Sequence, residues 1–240
     1  MRALVSSRVR SLVFLAIGVF GMNSALAIYE STYTNFLIND LDINAFQLGA
    51  LESIREIPGL LSVFILGSIL RFPEPLLAGS FLLIFSLGIG GVSTVSSWIQ
   101  VVLWSVVWSI GFHSWSPLSS SITLDLSDLK EEGKRLGQIN SVSSIAGMVA
   151  MASVVIFSSI FAMQYRLFFI LAGFISVIGG LITFRIPPAA KTFTKTRFVF
   201  RSRYRVYYVL NFLEGARRQI FLTFAPFALV KVYGLNITMI

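Results

Sequence analysis

The chain has 240 residues, 55% hydrophobic and only 12% charged, with 22 Phe and a formal charge of +8. An ordinary soluble domain is about 25% charged, so a soluble fold of this length would lack the polar side chains to cover its surface. Zero Cys excludes disulfides, thiol catalysis and Cys-ligated metal. The basic residues sit in short loops between apolar runs, a membrane pattern that argues against nucleic-acid binding.

Apolar periodicity and turn residues predict an all-α, polytopic membrane helix bundle. Span 1 covers residues 11–29, preceded by Arg2, Arg8 and Arg10. A rival reading is a cleaved signal peptide with Ala25-Leu26-Ala27 as its cleavage site, but the apolar stretch is long for a signal core. Residues 30–44 are expected to be a polar loop carrying Glu30, Asp40 and Asp42. Span 2 is placed at 45–70 and ends in a Pro-containing turn at 71–75, since prolines stop helices. Span 3 covers 76–92 and is rich in Gly; span 4 covers 98–118. A charged loop at 124–138 follows, then span 5 at 139–163, a turn at 164–166 and span 6 at 167–184. Residues 185–205 form a basic linker, with Pro187-Pro188 breaking the helix. Span 7 covers 206–230, and the onset of a further helix is expected before Ile240.

Orientation follows from the loops. Fourteen Lys and Arg fall in the N-terminus, Arg71, the 124–138 loop and the 185–205 linker, against Arg166 and Lys231 on the other side. Basic loops stay in the cytoplasm, so a multi-pass protein of the cytoplasmic membrane with its N-terminus inside is expected. Alkaline phosphatase fused after Met163 should be active, and fused after Arg197 inactive; the reverse pair of results would invert the topology.

Two groups of charges interrupt apolar runs. Glu52, Arg55 and Glu56 lie at i, i+3 and i+4 on one face of span 2. Glu52 is roughly 10 Å along that span. A charge at the bilayer centre costs about 2.5–3.5 kcal/mol even on the lenient insertion scale, so such a trio should pair internally and face protein or a water-filled cavity. The alternative is a span that starts near Ile57, with the trio among outer headgroups. Glu214, Arg217 and Arg218 interrupt span 7, and Arg217 lies roughly 17 Å along it. They are expected to form a substrate site or gate, against a plain ion pair that only positions the helix. Glu214 and Arg218 are an i, i+4 pair.

His113 is the only His. It makes no metal site alone, and is either a proton relay or a packing hydrogen bonder. Trp104, Trp108 and Trp115 share approximate faces with it and read as packing or lipid contact. Asn23 is expected to line a cavity or bond across helices, and Ser143 and Gly147 to let helices approach closely. Pro58, Pro117 and Pro226 are expected to kink their helices. No nucleotide-binding loop, zincin helix or nucleophile–base pair is present, so no cofactor is implied and the energy source expected is an ion gradient.

The loop carrying Asp125, Asp128, Glu131, Glu132, Lys134, Arg135 and Gly137, followed by Ser143, Ser144 and Gly147, resembles a cytoplasmic turn of the major facilitator superfamily. The span 7 run LNFLEGARRQIFLTFAPF resembles the opening of that family's second half. The order of spans, linker and span is similar to the family's N-terminal half plus the first helix of its second half. The family's signature between spans 2 and 3 is only partly met: Gly67 fits, but Arg71 stands at the acidic position, and Glu74 and Pro75 replace the following Gly and basic residue.

The resemblance implies two three-helix repeats in residues 1–184, a linker at 185–205, and the start of a second bundle at 206–240. It implies a secondary transporter, not an enzyme, moving a small solute by alternating access; coupling to an ion gradient, with protons as the candidate ion, is expected alongside it. Glu52, Glu56 or Glu214 would carry protons, and Arg217 and Arg218 would suit an anionic or polar substrate. Two other classes stay open. One is a truncated, non-transporting fragment that would need its missing second bundle or a second copy. The other is a seven-helix receptor, though Lys231 lies too far out for a retinal Schiff base.

Overall fold

The computed structural model describes residues 2–69, 71–161, 164–188 and 201–239, excepting the side chains of 2–6, 63, 211, 216 and 218. Most of the predicted basic linker lies outside the described residues. Eight α-helices follow in order: α1 (Arg2–Asn39), α2 (Ala45–Arg55), α3 (Ile57–Ile69), α4 (Glu74–Gly91), α5 (Trp98–Asp125), α6 (Glu132–Phe161), α7 (Tyr165–Thr183) and α8 (Arg205–Lys231). The all-α expectation is met.

The main departure is at α1, which runs ten residues past the predicted end of span 1, from Glu30 through Asn39. The expected polar loop at 30–44 shrinks to a short connection. The physical reason is twofold. No Gly or Pro lies between Gly21 and Gly49 to stop the helix. Ala25, Tyr29, Tyr33, Phe36 and Leu37 form a helical stripe that is almost wholly buried, and burying such a stripe outweighs the weak helix propensity of its polar neighbours. α1 therefore packs as an integral helix, with the candidate cleavage residues Ala25 and Ala27 in the core. The chain turns back at Asp42, which has a positive φ of 46°.

Span 2 becomes two helices. α2 starts with a capping box: Asn44 Oδ1 accepts from the Gln47 N–H at 2.9 Å, and Gln47 Oε1 accepts from the Asn44 N–H at 3.0 Å. It ends at Glu56, a single turn residue before α3. Pro58 explains the break, because it offers no N–H to the Ile54 carbonyl. Pro117 and Pro226 lie inside α5 and α8.

α1, α4 with its 3-10 extension, α6 and α7 are each long and apolar enough to cross a membrane. The packing is regular. α1 lies against α7 and α6, α4 lies against α5 and α7, and α2–α3 lie against α5. Exchange α1 with α5, α2–α3 with α6, and α4 with α7, and this pattern maps onto itself. That is the signature of two three-helix repeats. α8 lies against α1 and α2. The outer flank of α6 exposes Ile145, Met148, Val149, Ile156 and Ile160, side chains that only lipid solvates without cost.

Close helix approach is set by glycines other than the one expected. Gly147 meets nothing within 4 Å of an added Cβ. α6 approaches α1 through Ala146 and Ala150, both buried, and Ser24 Oγ donates to the Ala146 carbonyl at 3.5 Å. The tight contacts are Gly88 and Gly111 between α4 and α5, and Gly18 and Gly21 against Gly179 between α1 and α7.

Candidate functional site

α2 presents Glu52 and Arg55 inward, and the Glu56 turn places a second carboxylate beside them. Arg55 lies 2.5 Å from Glu52 and 3.1 Å from Glu56, with side chains of Glu52 and Arg55 only 10% and 14% exposed. Its guanidinium lies 5.1 Å from the centroid of the Trp108 ring. α5 supplies the opposite wall. His113 Nε2 is 3.5 Å from a Glu56 carboxylate oxygen, and Ser109 Oγ donates to the Arg55 carbonyl at 2.5 Å. Gly59 of α3 makes room for His113, since a Cβ there would lie 2.9 Å from the imidazole.

α8 closes the cluster. Gln219 Nε2 donates to Glu52 at 3.0 Å, and Thr223 Oγ1 lies 3.5 Å from the same oxygen. On the α1 side, Tyr29 and Tyr33 stack with centroids 4.3 Å apart, and the Tyr33 hydroxyl is 3.2 Å from Ser105 Oγ. Two cavities meet this cluster. One, of about 860 Å³, is bordered by Glu30, Glu52, Arg55, Glu56 and His113 and by residues of α8. The other, of about 310 Å³, is bordered by Tyr29, Tyr33, Glu52 and Arg55. The arrangement unites five helices and a turn around the Glu52–Arg55 pair, whose nearly enclosed charges compensate one another, as buried charges must.

Glu52, Arg55, Glu56 and His113 thus come together, though only the first three adjoin in sequence. His113 both packs and contacts a carboxylate. Asn23 stands apart. It donates to the Val19 carbonyl at 2.8 Å and to Ser143 Oγ at 3.2 Å. It borders a separate polar cavity of about 260 Å³ lined with Ser116, Ser119, Ser120 and Thr123. Glu214 and Arg217 do not join the cluster. Arg217 pairs with Glu214 at 2.7 Å in an i, i+3 register, with side chains 76% and 62% exposed. They lie on the face of α8 turned away from the large cavity. The Arg218 side chain lies outside the described residues.

Several site residues carried no advance signal. Glu30 was assigned to a loop; the absence of Gly and Pro after Gly21 would have kept it in the helix. Trp108 belonged to a stripe read as packing, and Trp104 and Trp115 do pack, against Gly91 and Gly18. Gln219 and Thr223 are neutral and of ordinary type.

At one end of the bundle, Lys231 reaches Asp42 at 2.8 Å, tying the end of α8 to the α1–α2 turn. The Lys231 ammonium holds the Asp42 carboxyl below the usual carboxylate range, chiefly through their hydrogen bond. At the other end Arg8 pairs with Asp128 at 2.5 Å, and Lys134 and Arg135 lower Glu131 in the same way.

The model of the Major Facilitator Superfamily matches residues 13–240. Among solved structures, a bacterial homologue of the human lysosomal transporter Spinster, in an inward-facing and unoccupied conformation, is similar to the chain with a TM-score of 0.63 and 18% identity. The likeness covers 97% of this chain and 57% of that one, so this chain spans little more than half the length of the structure it matches. No curated protein matches significantly. With its membrane-spanning helices, its repeat-like packing and a family match over nearly its whole length, the chain is a multi-pass membrane protein belonging to the major facilitator superfamily.

Proposed function

We propose that the chain serves secondary transport: a small solute crosses the cytoplasmic membrane by alternating access, with the N-terminus inside. Residues 1–184 form the first bundle, 185–205 the linker, and 206–240 the opening of the second. The observation that carries this reading is the Glu52–Arg55–Glu56–His113 cluster, whose Glu52–Arg55 pair is nearly enclosed, beside a cavity of about 860 Å³ between the six-span bundle and α8. Charges at that depth are costly to keep and are retained where cargo or ions pass. Energy comes from a proton gradient, with Glu52, Glu56 and His113 as the carriers.

Because the chain holds no Cys, sided labelling tests the motion directly. Ser53→Cys borders the large cavity and Ser120→Cys the smaller one nearer the cytoplasm. In reconstituted vesicles, a membrane-impermeant maleimide should reach the first from outside and the second from inside. An imposed proton gradient should raise one rate as it lowers the other. Labelling that ignores the gradient removes the coupling, and equal access from both sides removes the alternation.

The Asp42–Lys231 contact is read as an outer latch. Asp42→Lys places two ammonium groups together and should raise outer labelling of Ser53→Cys about two- to fivefold, the scale of an exposed ion pair. Adding Lys231→Asp should restore it. On the sign of the pH effect, a carboxyl held low stays ionised above its ordinary range, so the latch persists from neutral down to mildly acid pH. It is lost only as pH falls through the lowered value. A latch that weakens between pH 8 and 6 contradicts the assignment.

A further inference from the structure

Glu52 is bonded from two sides. Arg55, on its own helix, holds both carboxylate oxygens, with Nη1 2.9 Å from Oε1 and Nη2 2.5 Å from Oε2. From α8, Gln219 Nε2 donates to Oε2 at 3.0 Å and Thr223 Oγ1 donates to it at 3.5 Å. Gln219 and Thr223 stand at i and i+4, one turn apart on the same face of the helix, and Gln219 Nε2 lies 3.4 Å from Thr223 Oγ1. Both border the cavity of about 310 Å³ that Glu52 and Arg55 also border. One turn before Glu52, Gly49 makes room for the Phe224 ring, which would lie 3.4 Å from an added Cβ. α8 therefore rests on α2 through this carboxylate and one ring.

The two sides differ in chemistry. A guanidinium only donates, so Arg55 serves an ionised carboxyl and cannot receive the O–H of a protonated one. A primary amide and a hydroxyl each donate and accept. Gln219 can turn its amide to present Oε1, and Thr223 can rotate its hydroxyl, so either can take the O–H of a protonated Glu52 after donating to the carboxylate. Among the described residues hydrogen-bonded to Glu52, these two alone have that capacity. The difference matters because Glu52 is nearly enclosed. A buried polar group without a partner for the form it is in is costly. Where the cavity opens, water serves both forms of the carboxyl; with α8 seated on α2, the protein must.

We propose that Gln219 and Thr223 are positioning residues of the proton step: they let α8 close over Glu52 in both its ionised and its protonated form. The inference rests on the reading of Glu52 as a proton carrier, and it adds the groups that make carriage possible in a closed bundle. On loading, one proton from solvent adds to Oε2 of Glu52. Arg55 keeps its bond to Glu56, and Thr223 or Gln219 receives the new O–H. On release the proton returns to solvent and both groups donate again; no other bond changes. The other titratable groups around Glu52, among the described residues, are Arg55 and Glu56 on its own segment, Tyr29, Glu30 and Tyr33 of α1, and His113 of α5 beyond Glu56.

The test is pH-difference infrared spectroscopy of the purified chain in detergent, joined to the labelling of Ser53→Cys in vesicles. Acidification should produce a carboxyl C=O band that Glu52→Gln removes. The near-isosteric Thr223→Val and Gln219→Met take away the two dual partners one at a time. Each should shift the position of that band, and the double variant should also lose the gradient effect on labelling. Thr223→Ser, which keeps a hydroxyl, should retain both the band position and the gradient effect. A band unmoved in Thr223→Val and in Gln219→Met, each eluting as a folded protein, overturns the proposal. So does the absence of any Glu52 band at acid pH. Gradient-dependent labelling in the otherwise wild-type chain, with an unmoved band in the variants, sinks this inference alone. A band that shifts as expected in a chain without gradient-dependent labelling sinks the transport reading and leaves the role of α8 toward Glu52 standing.

Discussion

Arg55→Leu should lower the thermal stability of the purified chain more than any substitution on the exposed apolar flank of α6. The wild-type pair is nearly enclosed, with Glu52 and Arg55 10% and 14% exposed and 2.5 Å apart. Removing the guanidinium strands the Glu52 carboxyl among apolar groups, with Glu56 close by and only neutral Gln219 and Thr223 to meet it. Breaking a buried pair from one side costs about 3–5 kcal/mol, most of it the penalty of the stranded charge. The expected readout is a lower midpoint of heat-induced aggregation, followed by size exclusion in detergent. Arg55→Leu with Glu52→Leu should recover most of the loss, because an apolar pair of similar volume is often neutral. That double variant should still fail to show gradient-dependent labelling, which separates stability from function. An Arg55→Leu protein as stable as wild type would mean that the pair is open to water.

Gly111→Ala is the second large effect. A Cβ at Gly111 would lie 2.4 Å from the Phe85 nitrogen and 2.6 Å from the Phe81 carbonyl oxygen, both backbone atoms of α4. Gly88→Ala is the reciprocal case, at 2.3 Å from the Trp108 nitrogen of α5. Backbone cannot rotate away as a side chain does, so the two helices must separate. Overpacking of this kind costs about 1–3 kcal/mol and sometimes more. In lipid the loss is not recouped by water, since helix association there rests on close packing. Both variants should reduce folded yield sharply. Because Trp108 and His113 ride on α5, any protein recovered should also lose gradient-dependent labelling of Ser53→Cys. Gly147→Ala and Gly67→Ala, with nothing within 4 Å of the added carbon, should be silent. If all four variants behave alike, glycine contacts do not set the α4–α5 spacing.

The trio Glu52, Arg55 and Glu56 stood out in the sequence as three charges at i, i+3 and i+4, but an outer-headgroup position stayed open until the structure paired Arg55 with both carboxylates. Glu214 and Arg217 gave the same kind of signal and ended on an exposed face. A lone charge in an apolar run says that something unusual occurs there, but not which way the side chain points. In a soluble helix the 3.6-residue alternation of polar and apolar residues would answer that. Here lipid and bundle interior are both apolar, so the alternation is faint, and the inward face of α8 is marked only by Gln219 and Thr223. Glu30 failed for another reason. Its polar neighbourhood imitated a loop, while the stripe from Ala25 to Leu37 held the helix together.

Composition, the distribution of Lys and Arg and the spacing of apolar runs were enough to read an all-helical, multi-pass membrane protein and to single out the charges of span 2 as a group. Those properties are local or additive, and each residue contributes the same wherever its helix stands. The site is different. Glu56 meets His113 across 57 positions, and Glu52 meets Gln219 across 167. Such pairings depend on the rotation of each helix about its axis, which close packing between small residues fixes and which no single span encodes.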